Sequence, residues 1–241
     1  MRNLLSFSLL GTLALIPVAA SAQAASFEVS QLGHPVGTAS FNFVATQDGF
    51  DSTSLVRVSM KGLEYALSKT EQLSANNEFR HVQLSAAVNG TAVNVTAVPD
   101  SAQLLLNVSA NGRSSTTRLD AHPGAVFLAD FDPGALETLL TLGVIRNNRD
   151  LWAILPKQAG TQPGSVAQIE LATYADEQGT LDGKTITAHH LVATVAGART
   201  ELFSGPENQL LQAELPQKGF ALVRKGFVLS PPAKPLTPPA S

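Results

Sequence analysis

Hydrophobic and polar residues alternate along residues 26–119, and turn residues separate the alternating segments. A period of two is typical of antiparallel strands with one packed face and one wet face. We therefore predict a series of short antiparallel strands over this region. The apolar positions that carry the pattern are Phe27, Val29, Phe41, Phe43, Val56, Val58, Met60, Leu63, Tyr65 and Leu67.

Two Asn-Gly pairs stand between alternating segments. Asn89-Gly90 separates residues 82–88 from residues 93–97, and Asn111-Gly112 follows residues 104–108. Both residues of such a pair accept positive φ angles, as a type I′ turn requires, and the twist of this turn matches that of adjoining strands. Both pairs predict β-hairpins.

The alternation stops near His122, where the sequence takes on helical spacing. Asp132-Pro133 has the composition of a helix N-cap followed by proline at the first helical position. Leucines then recur at helical intervals, up to Gly143. We predict a helix within residues 132–143, and its leucine face needs an apolar surface to cover.

Strand patterns resume after the helix, so the whole chain contains about ten or eleven predicted strands and one or two helices. The fold class is mainly β, with an α+β character. We expect a strongly curved antiparallel sheet, or incomplete barrel, with its concave face covered by the helix. A closed barrel and a β-sandwich are the alternatives. The later strands are predicted at residues 169–174, 184–195, 199–203, 210–215 and 220–229.

Both ends of the chain differ from the domain between them, which spans residues 25–229. Residues 1–24 resemble a signal peptide, because a charged start and an apolar run precede the small residues Ala20-Ser21-Ala22 and Ala22-Gln23-Ala24. The protein is therefore predicted to be exported, to the periplasm or outside the cell. Residues 230–241 contain five prolines, which predicts a disordered tail or a docking segment for a protein partner.

Composition excludes several classes of function. The chain has no cysteine, which excludes disulfides, thiolate metal sites and a cysteine nucleophile. Loss of Arg2 with the signal peptide leaves 15 basic residues of the original 16 against 19 acidic ones, a net charge of −4. This charge is of the wrong sign for binding nucleic acid. The apolar run is too short for a transmembrane segment, and no sequence feature predicts a cofactor.

Histidines and aspartates are the candidates for metal or acid-base chemistry. His189 and His190 are adjacent on a predicted strand, so their side chains point to opposite faces and cannot easily bind one ion. Asp132 is explained as a helix cap. We therefore predict no metal site. A hydrolase that uses His122 with Asp130 or Asp132 is an alternative hypothesis, although the chain has no Gly-x-Ser-x-Gly motif.

The order of several segments resembles the bacterial periplasmic half-barrel proteins of the lipoprotein-localisation and outer-membrane-lipoprotein-carrier kind. These segments are Phe27-Glu28-Val29, Gly33 to Gly37, Met60-Lys61-Gly62, Glu201-Leu202-Phe203 and Glu214-Leu215-Pro216. The resemblance implies an incomplete antiparallel barrel, helices over its mouth, and the carrying or sensing of a lipid or acyl group. It implies no catalytic residues. The chain departs from lipidated members because it lacks a lipobox cysteine, which puts membrane attachment in doubt.

The resulting prediction is a non-enzymatic periplasmic protein that binds or carries a lipid, an acyl chain or another apolar ligand on the concave face of its sheet. A structural or envelope-assembly module that docks a partner is an alternative, as is the hydrolase described above. The predicted ligand-lining residues belong to the apolar strand faces and to the leucine helix. They are Phe41, Phe43, Val56, Val58, Tyr65, Leu67, Leu104, Leu106, Leu136, Leu139 and Leu140.

Overall fold

A computed structural model describes residues 23–156 and 164–231, and most of them lie in β-strands. The first eight strands follow one another as antiparallel neighbours, each paired with the next. Their bounds are β1 Gln23–Gln31, β2 His34–Thr46, β3 Gly49–Met60, β4 Leu63–Ser74, β5 Phe79–Val88, β6 Thr91–Asp100, β7 Gln103–Ala110 and β8 Arg113–Asp120.

The chain then passes over one face of these strands, which we call the inner face because its apolar side chains form the main core. This passage contains a short strand, β9 (Ala125–Phe127), then a helix, α1 (Pro133–Leu140), and a π-helical turn at Thr141–Ile145. We call residues 121–150 the covering segment. Helix α1 contacts β2 and β3, while β9 contacts β5, so the segment packs on the inner face.

The second half of the chain extends the same sheet. The pairing order is β9, β10, β11, β13, β14, β15, β16, β1, and then β2 to β8 in sequence. Strand β1 therefore joins the two halves, since it pairs with β2 on one side and with β16 on the other. The added strands are β10 Leu151–Pro156, β11 Gly164–Thr173, β12 Glu177–Leu181, β13 Lys184–Val195, β14 Ala198–Ser204, β15 Leu210–Leu215, β16 Phe220–Arg224 and β17 Phe227–Leu229.

The predicted fold class is confirmed: the molecule has one large sheet, mostly antiparallel and not closed into a barrel. The exception to antiparallel pairing is β9 with β10, which run parallel. Among the described residues, β8 pairs only with β7. The first of the two alternatives, a closed barrel, is thus not the observed arrangement, and the second, a sandwich, is replaced by a continuous sheet.

Strands β12 and β17 form a small layer beside the sheet. They pair with each other, and β12 also pairs with the first part of β13. The layer encloses a second apolar cluster, separate from the main core. Its buried members are Ala188, Phe203, Leu211 and Phe227.

Both predicted hairpins are confirmed. Asn89-Gly90 links β5 to β6 with φ angles of 49° and 80°, and Asn111-Gly112 links β7 to β8 with φ angles of 52° and 70°. The Asn89 side chain also accepts a hydrogen bond from the Glu64 backbone N–H at 2.8 Å. This turn therefore also contacts the neighbouring β3–β4 hairpin.

The described residues contain seventeen strands, more than the ten or eleven predicted. Strand β8 has the sequence Arg-Ser-Ser-Thr-Thr-Arg-Leu-Asp, which lacks the apolar alternation that marks a strand. The predicted strand at residues 220–229 is interrupted at Lys225-Gly226 and forms β16 and β17. Apart from the apolar strand β10, the missed strands are short or polar, so pairing with neighbours determines their conformation more than their own sequence does.

The predicted helix is also confirmed. Asp132 is its N-cap, and its Oδ1 accepts hydrogen bonds from the backbone N–H groups of Gly134 at 3.0 Å and Ala135 at 3.2 Å. Pro133 occupies the first turn, where its missing N–H costs no hydrogen bond. The helical backbone continues as the π-helical turn to Ile145, slightly beyond the predicted end at residue 143.

The predicted signal peptide and proline-rich tail lie almost entirely outside the described residues. Gln23 and Ala24, which were assigned to the signal peptide, begin β1, and Ser230 follows β17. The Ser230 backbone N–H donates to the Gln178 carbonyl at 2.8 Å. Within the described ranges, no helix is long and apolar enough to cross a membrane.

The position of Gln23 distinguishes the two predicted cleavage sites. Its side-chain amide donates to the buried Glu137 carboxylate at 2.5 Å, and its backbone pairs with Phe43. Cleavage after Ala22 preserves both contacts, whereas cleavage after Ala24 removes them. If the protein is exported as predicted, we therefore expect its mature chain to begin at Gln23, which intact-mass spectrometry of secreted material would reveal. A mature chain beginning at Ala25 would contradict this expectation.

Candidate functional site

The predicted ligand-lining residues share the inner face and belong to the main core. Ten of the eleven are at most 8% exposed, and Leu136 is half-buried. The strand register accounts for this grouping, since Val56 lies opposite Ala39 and Leu67, and Val58 lies opposite Tyr65. The structure thus gathers these side chains on one surface beneath the covering segment. Their role in lining a ligand stays a prediction.

Several polar contacts attach the covering segment to the sheet and its hairpins, among them the hydrogen bond from Gln23 to Glu137 described above. The Tyr65 hydroxyl donates to the Asp130 carbonyl at 3.2 Å, and the Leu210 backbone N–H donates to the Glu137 carboxylate at 2.7 Å. At the far end, the Arg146 guanidinium donates to the Ala75 carbonyl at 2.8 Å. A further attachment, at the start of α1, is an ion pair in the core.

An aromatic side chain also anchors the covering segment. Phe131 packs edge-on against Tyr65 and Phe220, with ring centroids 5.7 and 4.8 Å apart. Its φ angle is 57°, a region that bulky residues seldom adopt and that surrounding contacts must hold in place. Phe131 therefore directs the chain into the N-cap residue that follows it.

Four polar residues interrupt the apolar inner face of β3 and β4. Ser54 lies opposite Lys69, and Ser52 lies opposite Glu71, so the four occupy adjacent positions on two paired strands. All four are at most 1% exposed. We call Ser52, Ser54, Lys69 and Glu71 the polar patch. Apolar residues border it, with Phe41 and Phe43 on β2 and with Val82 and Leu84 on β5.

Lys69 is the centre of the polar patch. Its Nζ lies 2.8 Å from Glu71 Oε2 and 2.6 Å from Asp132 Oδ2. Burial by itself would lower the pKa of Lys69, but attraction to Asp132 and Glu71 outweighs burial and raises this pKa. The Asp132 carboxylate therefore has two functions, capping α1 through Oδ1 and neutralising Lys69 through Oδ2.

The hydroxyls of Ser52 and Ser54 are buried and have no hydrogen-bond partner among the described residues. Ser54 lies directly beneath the start of α1, since a Cβ added to Gly134 would come within 2.5 Å of the Ser54 Oγ. Buried hydroxyls without partners are uncommon in folded proteins and call for an explanation. The polar patch is therefore unusual both for its buried charge and for its unused hydrogen-bonding capacity.

Sequence reasoning missed the polar patch, although a signal for it was present. Alternate residues of β3 point inward, so the inward series that contains Val56 also contains Ser54 and Ser52. On β4, the inward series that contains Leu67 likewise continues to Lys69 and Glu71. The prediction followed apolar residues only, and so it stopped where the inward positions became polar.

A groove lies at one end of the inner face, between the ends of β5 to β8 and the covering segment. Its volume is about 400 Å³, and its lining includes Phe79, Leu104, Ala125 and Ile154. His122 lies at its edge and stacks on Trp152, with ring centroids 3.7 Å apart. Of the predicted ligand-lining residues, Leu104 reaches this groove.

The residues of the alternative hydrolase hypothesis have separate partners. His122 stacks on Trp152, whereas Asp132 is buried against Lys69. The Asp130 carboxylate lies 3.8 Å from Lys218 Nζ. Within the described ranges, no hydrogen bond or ion pair joins His122 to either aspartate, so these contacts do not assemble an acid-base pair.

His189 and His190 each bind carboxylates. His189 Nδ1 lies 3.1 Å from Asp176 Oδ1, and His190 Nε2 lies 2.6 Å from Glu201 Oε2. The His190 ring also stacks on Phe203, with centroids 4.7 Å apart. In the part of the chain that the structure describes, no group of three or more His, Cys, Asp or Glu residues could hold a metal ion.

No family model matches this chain, and no significant match is found among curated proteins or solved structures. The resemblance to periplasmic half-barrel proteins therefore stays a prediction. A function can therefore be inferred only from three structural features: the inner face, the covering segment and the groove.

We expect Lys69→Met to destabilise the protein strongly, because it leaves Glu71 and Asp132 buried without a compensating charge. Removing one partner of a buried ion pair typically costs about 3–5 kcal/mol. The matched control is Lys61→Met, at an exposed turn position, which should change stability by less than about 0.5 kcal/mol. Denaturant unfolding followed by circular dichroism measures both. Equal stability of the two variants would refute the central role of Lys69.

Two buried carboxyls give stability a distinctive pH dependence. Burial, only partly offset by Lys69, raises the pKa of Glu71, and burial, partly offset by the Leu210 N–H, raises that of Glu137. A raised pKa means that the folded protein binds the proton more tightly than the unfolded chain does. The contribution of these two carboxyls to the free energy of unfolding is therefore greatest below the unfolded pKa of about 4.3, and it declines as pH rises through their pKa values in the folded protein.

Glu71→Gln should accordingly reduce the gain in unfolding free energy on moving from neutral pH towards pH ~4.3. The control variant is Glu28→Gln on β1, where the glutamate is exposed, and it should retain the dependence of the unmodified protein. Thermal unfolding at a series of pH values makes the comparison. Superimposable curves for Glu71→Gln and the unmodified protein would contradict the prediction.

Proposed function

We propose that this protein is a non-enzymatic binding protein, exported to the periplasm or secreted, that holds an apolar ligand such as an acyl chain on the inner face of its sheet. The main support for this proposal is that one short segment of the chain covers the apolar inner face. A single segment of about thirty residues lies over the apolar inner face, and the strands of the described residues that form the main core all belong to one sheet rather than to two facing sheets.

The composition of the inner face supports an apolar ligand. Phe, Leu and Val side chains from β2 to β7 lie side by side on it, with few polar groups among them. Ligand sites for greasy molecules have this character, being mostly apolar with a small number of placed polar groups. A sheet that stays open can supply such a surface whenever its cover moves aside.

The attachment of the cover supports reversible binding. Its polar contacts are made by individual side chains, and one of them, Lys69 with Asp132, is an ion pair at the base of α1. Helix α1 is also only eight residues long, and so its stability depends on packing rather than on its own propensity. Displacing α1 thus requires breaking these polar contacts and exposing the apolar side chains, Leu139 and Leu140 among them, that it buries in the main core.

The groove supplies a route to the inner face. Its floor is apolar, with Leu104 and Ile154 leading inward, while Glu78, Asp120 and His122 lie at its edge. An apolar interior with a polar rim suits a ligand that has a greasy chain. Trp152, the single tryptophan of the chain, lies beside this rim through its contact with His122.

Native mass spectrometry of the protein isolated from its own envelope, followed by organic extraction, tests the proposal directly. We expect a co-purifying acyl species, and we expect a delipidated sample to rebind a fatty acid with a change in Trp152 fluorescence. Protein that carries no lipid and takes up no fatty acid would refute the proposal.

Blocking the groove gives a second test. Ala102 is exposed and lines the groove, so Ala102→Phe should slow or weaken uptake by at least several-fold without disturbing the core. Ala92→Phe, at an exposed position on β6, is the matched control and should leave uptake unchanged. Both variants keep Trp152 as the single tryptophan, and the same fluorescence titration therefore compares them. Identical uptake by both would show that the groove is not the entry route.

A further inference from the structure

The polar patch is a charged site set within the apolar surface that is proposed to bind a ligand. Lys69 Nζ is fully buried there, and the two serine hydroxyls beside it have no hydrogen-bond partner among the described residues. A buried ion pair seldom stabilises a fold better than apolar residues of the same volume. Stability alone therefore does not explain the polar patch, and binding of a ligand is a better explanation.

The carboxylate that neutralises Lys69 most closely comes from the covering segment. Asp132 Oδ2 lies 2.6 Å from Lys69 Nζ, closer than Glu71 Oε2 at 2.8 Å. Glu71 lies on the same strand as Lys69 and stays with it, whereas Asp132 is removed from Lys69 whenever the cover is displaced. Displacement of the cover thus creates a site for one carboxylate.

The serine hydroxyls complete such a site. Ser54 lies opposite Lys69 across the β3–β4 ladder, and Ser52 lies one inward position further along β3. Each hydroxyl has a proton to donate and an oxygen that can accept. Two hydroxyls and one ammonium group on the same face form a suitable donor set for a carboxylate, whose oxygens accept several hydrogen bonds at once.

We propose that Lys69, together with Ser52 and Ser54, binds the carboxylate of a single-chain amphiphile such as a fatty acid, and that Asp132 occupies the position of this carboxylate when the cover is closed. The inference rests on the proposed function, since it names the class of ligand that the inner face takes. The acyl chain lies against the apolar neighbours of the patch, Phe41, Val56 and Leu67.

Replacing the Asp132 carboxylate by the ligand carboxylate leaves the net charge of the buried site unchanged. Before it, Lys69 faces two carboxylates, those of Glu71 and Asp132; after it, Lys69 faces Glu71 and the ligand. Asp132 moves to solvent, where its charge is hydrated, and its Oδ1 can still cap α1. An uncharged ligand of the same length would instead leave Lys69 with Glu71 alone and forgo one charge-assisted contact.

A pair of ligands with the same chain isolates the headgroup. Laurate carries a carboxylate, and lauryl alcohol carries a hydroxyl on the same twelve-carbon chain. Isothermal titration calorimetry and native mass spectrometry, on the delipidated full-length mature protein, should show tighter binding of laurate by about tenfold, as expected for one charge-assisted contact.

Asp132→Asn should increase affinity for laurate. Asparagine caps a helix about as well as aspartate does, so the variant keeps α1 while it removes the charge that competes for Lys69. We expect laurate to bind about tenfold more tightly and lauryl alcohol to change much less. The control is Asp51→Asn, an exposed position on β3 next to the patch, which should bind both ligands as the unmodified protein does.

Lys69→Met tests the cation itself. We expect the variant to lose its preference for laurate but still to bind lauryl alcohol. Continued binding of lauryl alcohol with unchanged affinity would show that the protein is folded. If the variant does not fold, Asp132→Asn still decides the matter, because exposed apolar surface in a misfolded protein would take up laurate and lauryl alcohol alike, whereas the expected gain is selective for laurate.

The outcomes separate the two proposals. Preference for laurate, enhanced by Asp132→Asn, supports the carboxylate site. Equal binding of both ligands, unaffected by Asp132→Asn, overturns the carboxylate site and leaves the binding function standing. Failure of the unmodified protein and its variants to bind either ligand overturns both.

Discussion

Lys69 connects the two layers of this molecule, because its ammonium group in the middle of β4 pairs with a carboxylate at the first turn of the covering helix. The pair lies deep among phenylalanine, leucine and valine side chains, where an isolated charge would be prohibitively costly. The position of α1 is therefore specified by charge pairing as well as by the packing of its leucines. Asp132 matters doubly, since its Oδ1 caps α1 and its Oδ2 neutralises Lys69. In this sense the buried charge determines where the cover lies.

Local sequence signals predicted those elements whose conformation is decided locally. The Asn-Gly turns, the Asp132 cap and the alternation of Val56, Val58, Tyr65 and Leu67 each depend on a few neighbouring residues, and each is found as predicted. Polar strand β8 and the short strands β9, β12 and β17 form through pairing with distant segments, which periodicity cannot reveal. The polar patch was missed for a related reason. A lysine and two serines at inward positions look like solvent-facing residues until their partners across the ladder are known.

The same contacts bear on function. An open sheet with an apolar inner face can either be filled permanently by its cover or exchange that cover for a ligand, and the two cases differ in how the cover is held. Here the attachments include an ion pair and a few hydrogen bonds to single residues, such as Glu137 with Leu210. Interactions of this kind can be replaced by a ligand of matching chemistry. In the proposed function, the groove beside His122 and Trp152 is where such a ligand enters.

The double pairing of β1 has a consequence for how the chain folds. Phe27 lies between Ala39, a near neighbour in sequence, and Arg224, at the opposite end of the domain. Strands β2 to β8 can form a ladder from hairpins alone, but β1 cannot complete its pairing until β16 exists. Contacts so distant in sequence slow folding, because a long loop must close before they form. We therefore expect the union of the two halves to come late in folding, and we expect a chain interrupted before residue 220 to retain an unpaired strand edge at β1, open to association with other chains.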